Sequence, residues 1–294
     1  MAHSDAETAL ERLVPIITTP APSAVAVSGG VDSMTLAVVA GRHTDDVVMI
    51  HATSPAVPPE ATARVKRYAQ REGWTLEILD AGEFGDARYR ANPVNRCYFC
   101  KTNLYGAMAA VTERELWSGT NTDDLGDYRP GLVAAQEHAV EHPYVEAGID
   151  KQMVRAIARY MQLHDLAELP AAPCLSSRVQ TGIAIDARDL SALHTCEKLV
   201  AERLARFLTP NGAQGNARGT VAGTVRCRVR DDGIVIELDE LSLCALADGV
   251  RSELASEIST HFAGHRPGIA VRFAPYTMGS AFVHAPQLQR SELS

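Results

Sequence analysis

The sequence predicts an α/β protein: a doubly wound parallel sheet followed by a smaller α+β domain. Three observations carry the prediction. Strand-sized apolar runs at 24–28, 47–52 and 75–80 alternate with helix-length stretches at 33–41 and 60–73, the order in which a parallel sheet is built. A breaker-rich stretch with Thr209-Pro210-Asn211-Gly212, Gly215 and Gly219 then interrupts the chain. Beyond it the period changes from that of a helix to the strict alternation of a half-buried strand.

Taken in order, 115–120 and 143–146 extend the series of predicted strands. Asp150 precedes Met153, Ile157, Tyr160 and Met161, an N-cap candidate followed by an apolar stripe at three- and four-residue spacing, with Arg155 and Arg159 on another, solvated side. A second helical pattern runs over 186–208. From Thr224 to Arg230, Val225, Cys227 and Val229 share one face and Arg226, Arg228 and Arg230 the other. Asp231-Asp232-Gly233 signals a hairpin turn into a strand carrying Ile234, Ile236 and Leu238. A helix over 242–262 and a strand over 269–273 complete the unit. The expected domains are 1–183 and 184–294.

The 294 residues suit one large or two modest domains and need no disulfide or metal to be stable. Hydrophobic content of 46% and charged content of 22% are those of an ordinary globular chain. No apolar run approaches the roughly 18 residues of a membrane span, and the first residues are acidic where a signal peptide is basic, so a cytoplasmic protein without membrane contact is expected. Net charge of −8 and a pI near 5.7 argue against a partner in nucleic acid, which demands clustered Lys and Arg. A small anion held by a local basic site stays compatible.

Ser28-Gly29-Gly30-Val31-Asp32-Ser33 follows the first predicted strand and opens a helix. Backbone N–H groups at such a junction cradle phosphate, the glycines permit close approach, and the hydroxyls add donors. No Walker-type lysine accompanies it. Asp123, Asp124, Asp127 and Arg129 follow a predicted strand end, where α/β sheets bind ligands. Of six cysteines, Cys97 and Cys100 form a CxxC, a pairing compatible with metal binding or with packing, and Cys174 lies near Arg178, a cation that would favour its thiolate.

The hexad resembles the pyrophosphate loop of the ATP pyrophosphatase superfamily, which includes GMP and NAD synthetases, argininosuccinate synthetase and tRNA thiolation enzymes. The resemblance implies an adenine nucleotide alpha hydrolase-like fold and cleavage of ATP between its α and β phosphates, with Mg²⁺ beside the leaving pyrophosphate. Further landmarks narrow it. Asn92-Pro93-Val94-Asn95-Arg96-Cys97-Tyr98-Phe99-Cys100-Lys101, Gly119-Thr120-Asn121-Thr122-Asp123-Asp124, Asp127-Tyr128-Arg129-Pro130-Gly131 and Pro173-Cys174-Leu175-Ser176-Ser177-Arg178 resemble, in order, motifs of the LarE family.

That resemblance implies an ATP-dependent sulfur transferase of nickel-pincer nucleotide biosynthesis, which adenylates a carboxylate of pyridinium-3,5-biscarboxylate mononucleotide and converts it to a thiocarboxylate. Ser28, Gly29, Gly30, Asp32, Ser33, Gly119 and Asp123 would serve ATP. Arg228 and Arg230 match the family's Arg-x-Arg strand and suit a phosphate bidentately. Cys174, with Asp32 and Arg178 as catalytic companions, would give up its sulfur and become dehydroalanine. Alternatively Cys97, Cys100 and Cys174 would hold a [4Fe-4S] cluster with one open iron. The expected partners are the carboxylated mononucleotide and further copies of the chain in a homo-oligomer. Where the family has a lysine, a tyrosine and a histidine, this chain has Leu169, Thr181 and Asp232, and its C-terminal Pro275-Tyr276-Thr277-Met278-Gly279-Ser280 lacks the family's arginine. The departures fall around the presumed acceptor. Thiolation of another metabolite, of tRNA, an amidating synthetase, and a non-enzymatic ATP or iron-sulfur sensor are the rival readings.

Overall fold

The structure, a computed structural model, describes residues 2–18, 22–126, 129–208 and 223–282. The stretch containing Thr209, Pro210, Asn211, Gly212, Gly215 and Gly219 lies outside the described residues, as do Asp127 and Tyr128. Chain contacts divide the protein into two compact units, Met1–Tyr89 with Asn95–Pro173 and Arg90–Val94 with Cys174–Ser294.

In the first unit, β1 (Ser23–Ala26), β2 (Val47–Thr53), β3 (Leu76–Asp80) and β4 (Glu115–Trp117) form a sheet in the order β3-β2-β1-β4, every pair parallel. Among the described residues nine helices connect and cover them: α1 (Ala2–Ile17), α2 (Val31–His43), α3 (Pro59–Glu72), the one-turn α4 (Ala87–Arg90), α5 (Arg96–Ala109), α6 (Pro130–Glu137), the one-turn α7 (Pro143–Glu146), α8 (Lys151–Tyr160) and the one-turn α9 (His164–Ala167). Alternation along the strands feeds two cores. Val25, Val27, Met49 and Trp117 meet α1, α2, α3 and α8 on one face, while Ala24, Ile50 and Leu116 meet Tyr105 and Met108 of α5 and Ala135 of α6 on the other. Helices on both faces make this an α/β fold with a Rossmann-like strand order.

Local chemistry explains most boundaries. Asp150 caps α8, its carboxylate accepting the Met153 N–H at 2.8 Å. Gly73 ends α3 in the left-handed conformation at φ 71°. The N-terminal helix, unforeseen above, was legible in the spacing of the buried Ala6, Ala9, Leu13 and Ile17. Residues 143–146 are a correction. The sheet gains only a bridge there, with Glu141 N–H donating to the Leu116 carbonyl at 2.8 Å and Ser118 N–H to that of Glu141 at 3.0 Å. Pro143 then enters at the first helical position, where its missing N–H costs nothing, and the chain turns into α7.

The second unit pairs β5 (Val225–Arg230) antiparallel with β6 (Gly233–Leu238), and β6 parallel with β7 (Val271–Pro275), beside α10 (Ala187–Leu208), α11 (Glu240–Ala245) and α12 (Asp248–Phe262). The hairpin at 231–233 forms as read. The helix expected over 242–262 is two, because Asp239 caps α11 through the Ser242 N–H and Leu246 and Ala247 are extended. Residues 174–183, assigned above to the first domain, are grouped with the second unit. The Asn92 amide donates to the carbonyls of Val179, Gln180 and Ile183, and the Gln180 N–H to that of Val229. Among the described residues no helix is long and apolar enough to cross a membrane.

Candidate active site

Strand order reverses at β1, so the carboxyl ends of β1 and β4 open side by side, the place where open α/β sheets bind ligands. The hexad stands there. Val27 still donates to the Ile50 carbonyl at 2.8 Å, after which the chain turns through Gly29 at φ +84°. Gly30 begins α2 without a side-chain cap, and the first helical bond is Met34 N–H to the Gly30 carbonyl. The N–H groups of Val31, Asp32 and Ser33 therefore have no acceptor within the helix, and the helix dipole favours an anion in front of them. The two serines staple the turn: Ser33 Oγ accepts the Ser28 N–H at 3.0 Å and lies 3.0 Å from Ser28 Oγ, which accepts the Gly30 N–H at 3.3 Å.

The end of β4 closes on this turn. A Cβ on Gly119 would lie 2.6 Å from the Ser33 nitrogen and 2.9 Å from the Asp32 carbonyl carbon, so only glycine allows this approach. Asn121 caps the 3-10 turn Thr122–Leu125, accepting the Asp123 N–H while Asp124 accepts the Asn121 N–H at 3.1 Å. Asp32 receives the Asn121 amide at 3.4 Å on one oxygen and the Lys151 ammonium on the other. Tyr144 donates to the Asp32 carbonyl at 3.2 Å, and burial, then the Asp32 charge, push its hydroxyl well above the ordinary range. Asp123 accepts the Lys151 N–H at 3.2 Å and so caps a helix rather than facing the turn alone, while Asp124 pairs with Arg129 at 2.9 Å. Lys151 and Tyr144 escaped sequence reasoning. For Lys151 the signal was its place directly after the Asp150 cap.

Cys97 and Cys100 lie on the first turns of α5, Cys97 exposed and Cys100 half-buried. Neighbouring Tyr105 and then the two thiols raise the pKa of Lys101 against the opposing effect of burial. Ser118 Oγ lies 2.8 Å from His142 Nδ1, and burial, then Lys101, lower that imidazole's pKa. Between α5 and α6 a cleft of about 480 Å³ is lined by Asn95, Tyr98, Arg129, Pro130 and Glu137, with Tyr98 donating to Glu137 at 2.8 Å. Among the described residues no group of three or more His, Cys, Asp and Glu side chains is placed to hold a metal ion. Of the three cysteines read as a cluster set, Cys97 and Cys100 belong to the first unit and Cys174 to the second.

In the second unit Cys174 is exposed and precedes the 3-10 turn Leu175–Arg178, its carbonyl accepting the Ser177 N–H at 3.0 Å. Arg178, four positions on, reaches the Cys174 carbonyl at 3.5 Å. Its buried guanidinium grips Glu197 of α10 through two bonds of 2.9 and 3.2 Å, and Glu197 also accepts the Cys227 N–H at 3.0 Å. The arginine stripe is likewise engaged. Arg228 and Arg230 share the buried Glu237 at 2.7 and 2.9 Å, and one further nitrogen of each donates to a carbonyl, that of Ser177 at 3.0 Å and that of Ser280 at 2.6 Å. Burial alone would raise the Glu237 pKa; Ser280 at 2.6 Å and the arginines overcome it and hold the carboxyl below its ordinary range. Of the positions that depart from the family pattern, Leu169 joins the apolar core and lends its carbonyl to Arg155, and Asp232 pairs with Arg272 at 3.0 Å.

No family model matches the chain. It is 38% identical to an uncharacterised protein of Synechocystis sp. over 178 residues, 59% of this chain and 66% of that protein. An uncharacterised protein of Methanocaldococcus jannaschii is 25% identical over 74% of this chain and 77% of its own length. The pyridinium-3,5-bisthiocarboxylic acid mononucleotide synthase of Lactiplantibacillus plantarum is 25% identical over 224 residues, 74% of each chain.

Proposed function

We propose that this chain is an ATP-dependent sulfur transferase that adenylates a carboxylate of a small mononucleotide and replaces its oxygen with sulfur. The observation that carries the reading is the uncapped start of α2, with its serines and Asp32, at the reversal of strand order. The distant likeness to the mononucleotide synthase supports the same class of chemistry. ATP phosphates meet the N–H groups of Val31, Asp32 and Ser33. Mg²⁺ takes few protein oxygens when phosphates supply the rest, and Asp32 is the residue whose chemistry fits it; the bound ion would neutralise charge on the leaving pyrophosphate.

A substrate carboxylate oxygen attacks the α phosphorus, pyrophosphate leaves, and the acyl-adenylate now carries AMP as a good leaving group. The exposed Cys174 thiolate displaces AMP to give a thioester. Removal of its Cα proton expels the thiocarboxylate and leaves dehydroalanine, so the protein loses the elements of H₂S. The engagement of Arg228 and Arg230 by Glu237 favours, as a second reading, an acceptor carboxylate other than the family's mononucleotide.

The test is exchange of labelled pyrophosphate into ATP with a panel of carboxylates, followed by intact mass. Acceptor-dependent exchange and a loss of about 34 Da in wild-type protein, with exchange but no mass loss in Cys174→Ser, are the expected results. Absence of exchange with every acceptor overturns adenylation. Exchange with unchanged mass overturns the role of Cys174.

A further inference from the structure

The first turns of α3 are fastened to the phosphate loop at three points. A Cβ on Gly29 would lie 2.8 Å from the Ala61 carbonyl oxygen, so loop and helix backbones are in direct contact. The buried His51 bridges the Val27 carbonyl at 2.7 Å and the Thr62 hydroxyl at 2.9 Å. Arg64 donates from one guanidinium nitrogen to the Gly29 carbonyl at 2.6 Å, a short charge-assisted bond. Burial and the neighbouring Arg67 both work against the charge on Arg64, and the residue is held there nonetheless.

The third contact falls on a peptide that needs a lock. The carbonyl and N–H of one peptide unit point in opposite directions, so turning the Gly29 carbonyl toward α3 turns the Gly30 N–H away from it. Rotating this unit by half a turn would change φ of Gly30 from −82° to about +100°, a value open to glycine and closed to residues with a Cβ. Gly29, already at φ +84°, offers no resistance either. In the present orientation the Gly30 N–H donates to Ser28 Oγ at 3.3 Å; the rotated peptide would lose that bond and put a carbonyl oxygen on the serine side of the loop.

We propose that Arg64 is a positioning residue that fixes the Gly29–Gly30 peptide in the orientation that admits phosphate. The role rests on reading this loop as the phosphate site, and it acts through the backbone rather than by touching the ligand. Its signature is rescue by an alanine at Gly30. There the backbone suits any residue and the added Cβ meets only Ser28 Oγ at 3.5 Å, whereas the rotated peptide is closed.

The experiment is calorimetric titration of the full chain with inorganic pyrophosphate and Mg²⁺, for wild type, Arg64→Ala, Arg64→Lys, Arg67→Ala, Gly30→Ala and the Arg64→Ala/Gly30→Ala double variant, with urea midpoints to confirm folding. Loss of one charge-assisted bond predicts roughly 10- to 100-fold weaker binding in Arg64→Ala. Arg67→Ala stays near wild type, Arg64→Lys falls between, and the double variant recovers most of the loss relative to Gly30→Ala alone. Equal loss in Arg64→Ala and Arg67→Ala, or no recovery in the double variant, overturns the proposal and leaves the phosphate site standing. Wild-type protein that binds no pyrophosphate overturns both. Should Arg64→Ala not fold, Arg64→Lys against Arg64→Lys/Gly30→Ala makes the same comparison.

Discussion

Replacing Gly119 with alanine tests the closure of β4 on the phosphate loop without removing a single polar group. The new methyl would sit 2.6 Å from the Ser33 nitrogen and 2.8 Å from its Cα, about 0.8 Å inside ordinary contact. Both atoms are backbone, in a buried helix turn, so no side chain can swing away. The strand end and the helix start must part. Overpacking of this kind costs about 1–3 kcal/mol, and a shift approaching 1 Å in a positioned site costs on the order of 10²-fold in function. Chemical denaturation should show a lower midpoint with unchanged slope, and pyrophosphate titration a far weaker affinity than the stability loss alone explains. Gly85→Ala, where an added Cβ meets nothing, is the control. Gly119→Ala protein that binds pyrophosphate as wild type does, with an unchanged midpoint, would refute the claim that this glycine sets the distance between the two segments.

Other substitutions probe the remaining supports. His51 is buried and its pKa is depressed by burial, then by Lys66, against the Val27 bond. The unfolded chain therefore binds the proton first: stability is complete above about 6.5 and declines as pH falls from there toward the lower folded value. His51→Phe should lose about 1–3 kcal/mol through the unpaired Val27 carbonyl and lack that acid slope in urea titrations at stepped pH. Glu237→Gln should cost about 3–5 kcal/mol, since the buried Arg228 and the half-buried Arg230 lose their shared carboxylate; a loss within error in denaturation would show the arginines find other partners. The depressed pKa of Glu237 adds stability present above its unfolded value of 4.5 and lost as pH falls below it. Gly249→Ala, near the start of α12 with open space around it, should raise the midpoint by the equivalent of about 0.4–1 kcal/mol.

The sequence by itself determined whatever local physical chemistry settles. Alternating strand and helix periods specified an α/β chain, Asp150 specified a helix start, and Asp231-Asp232-Gly233 specified a hairpin, because each depends on residues within a few positions. The glycine-rich hexad was legible for the same reason. Tertiary structure decided the rest. Whether 143–146 became strand or helix depended on where the sheet edge ran out of partners, with Pro143 two residues beyond the bridge of Glu141 to Trp117. Register brings the buried Glu237 onto the face of Arg228 and Arg230, and α10 presents Glu197 to Arg178. Lys151 meets Asp32 across 119 positions and Arg64 meets Gly29 across 35. A charge in a sequence states only that it needs a partner or water; which one it obtains is fixed by the packing of distant segments, and that packing carries no local periodicity from which to read it.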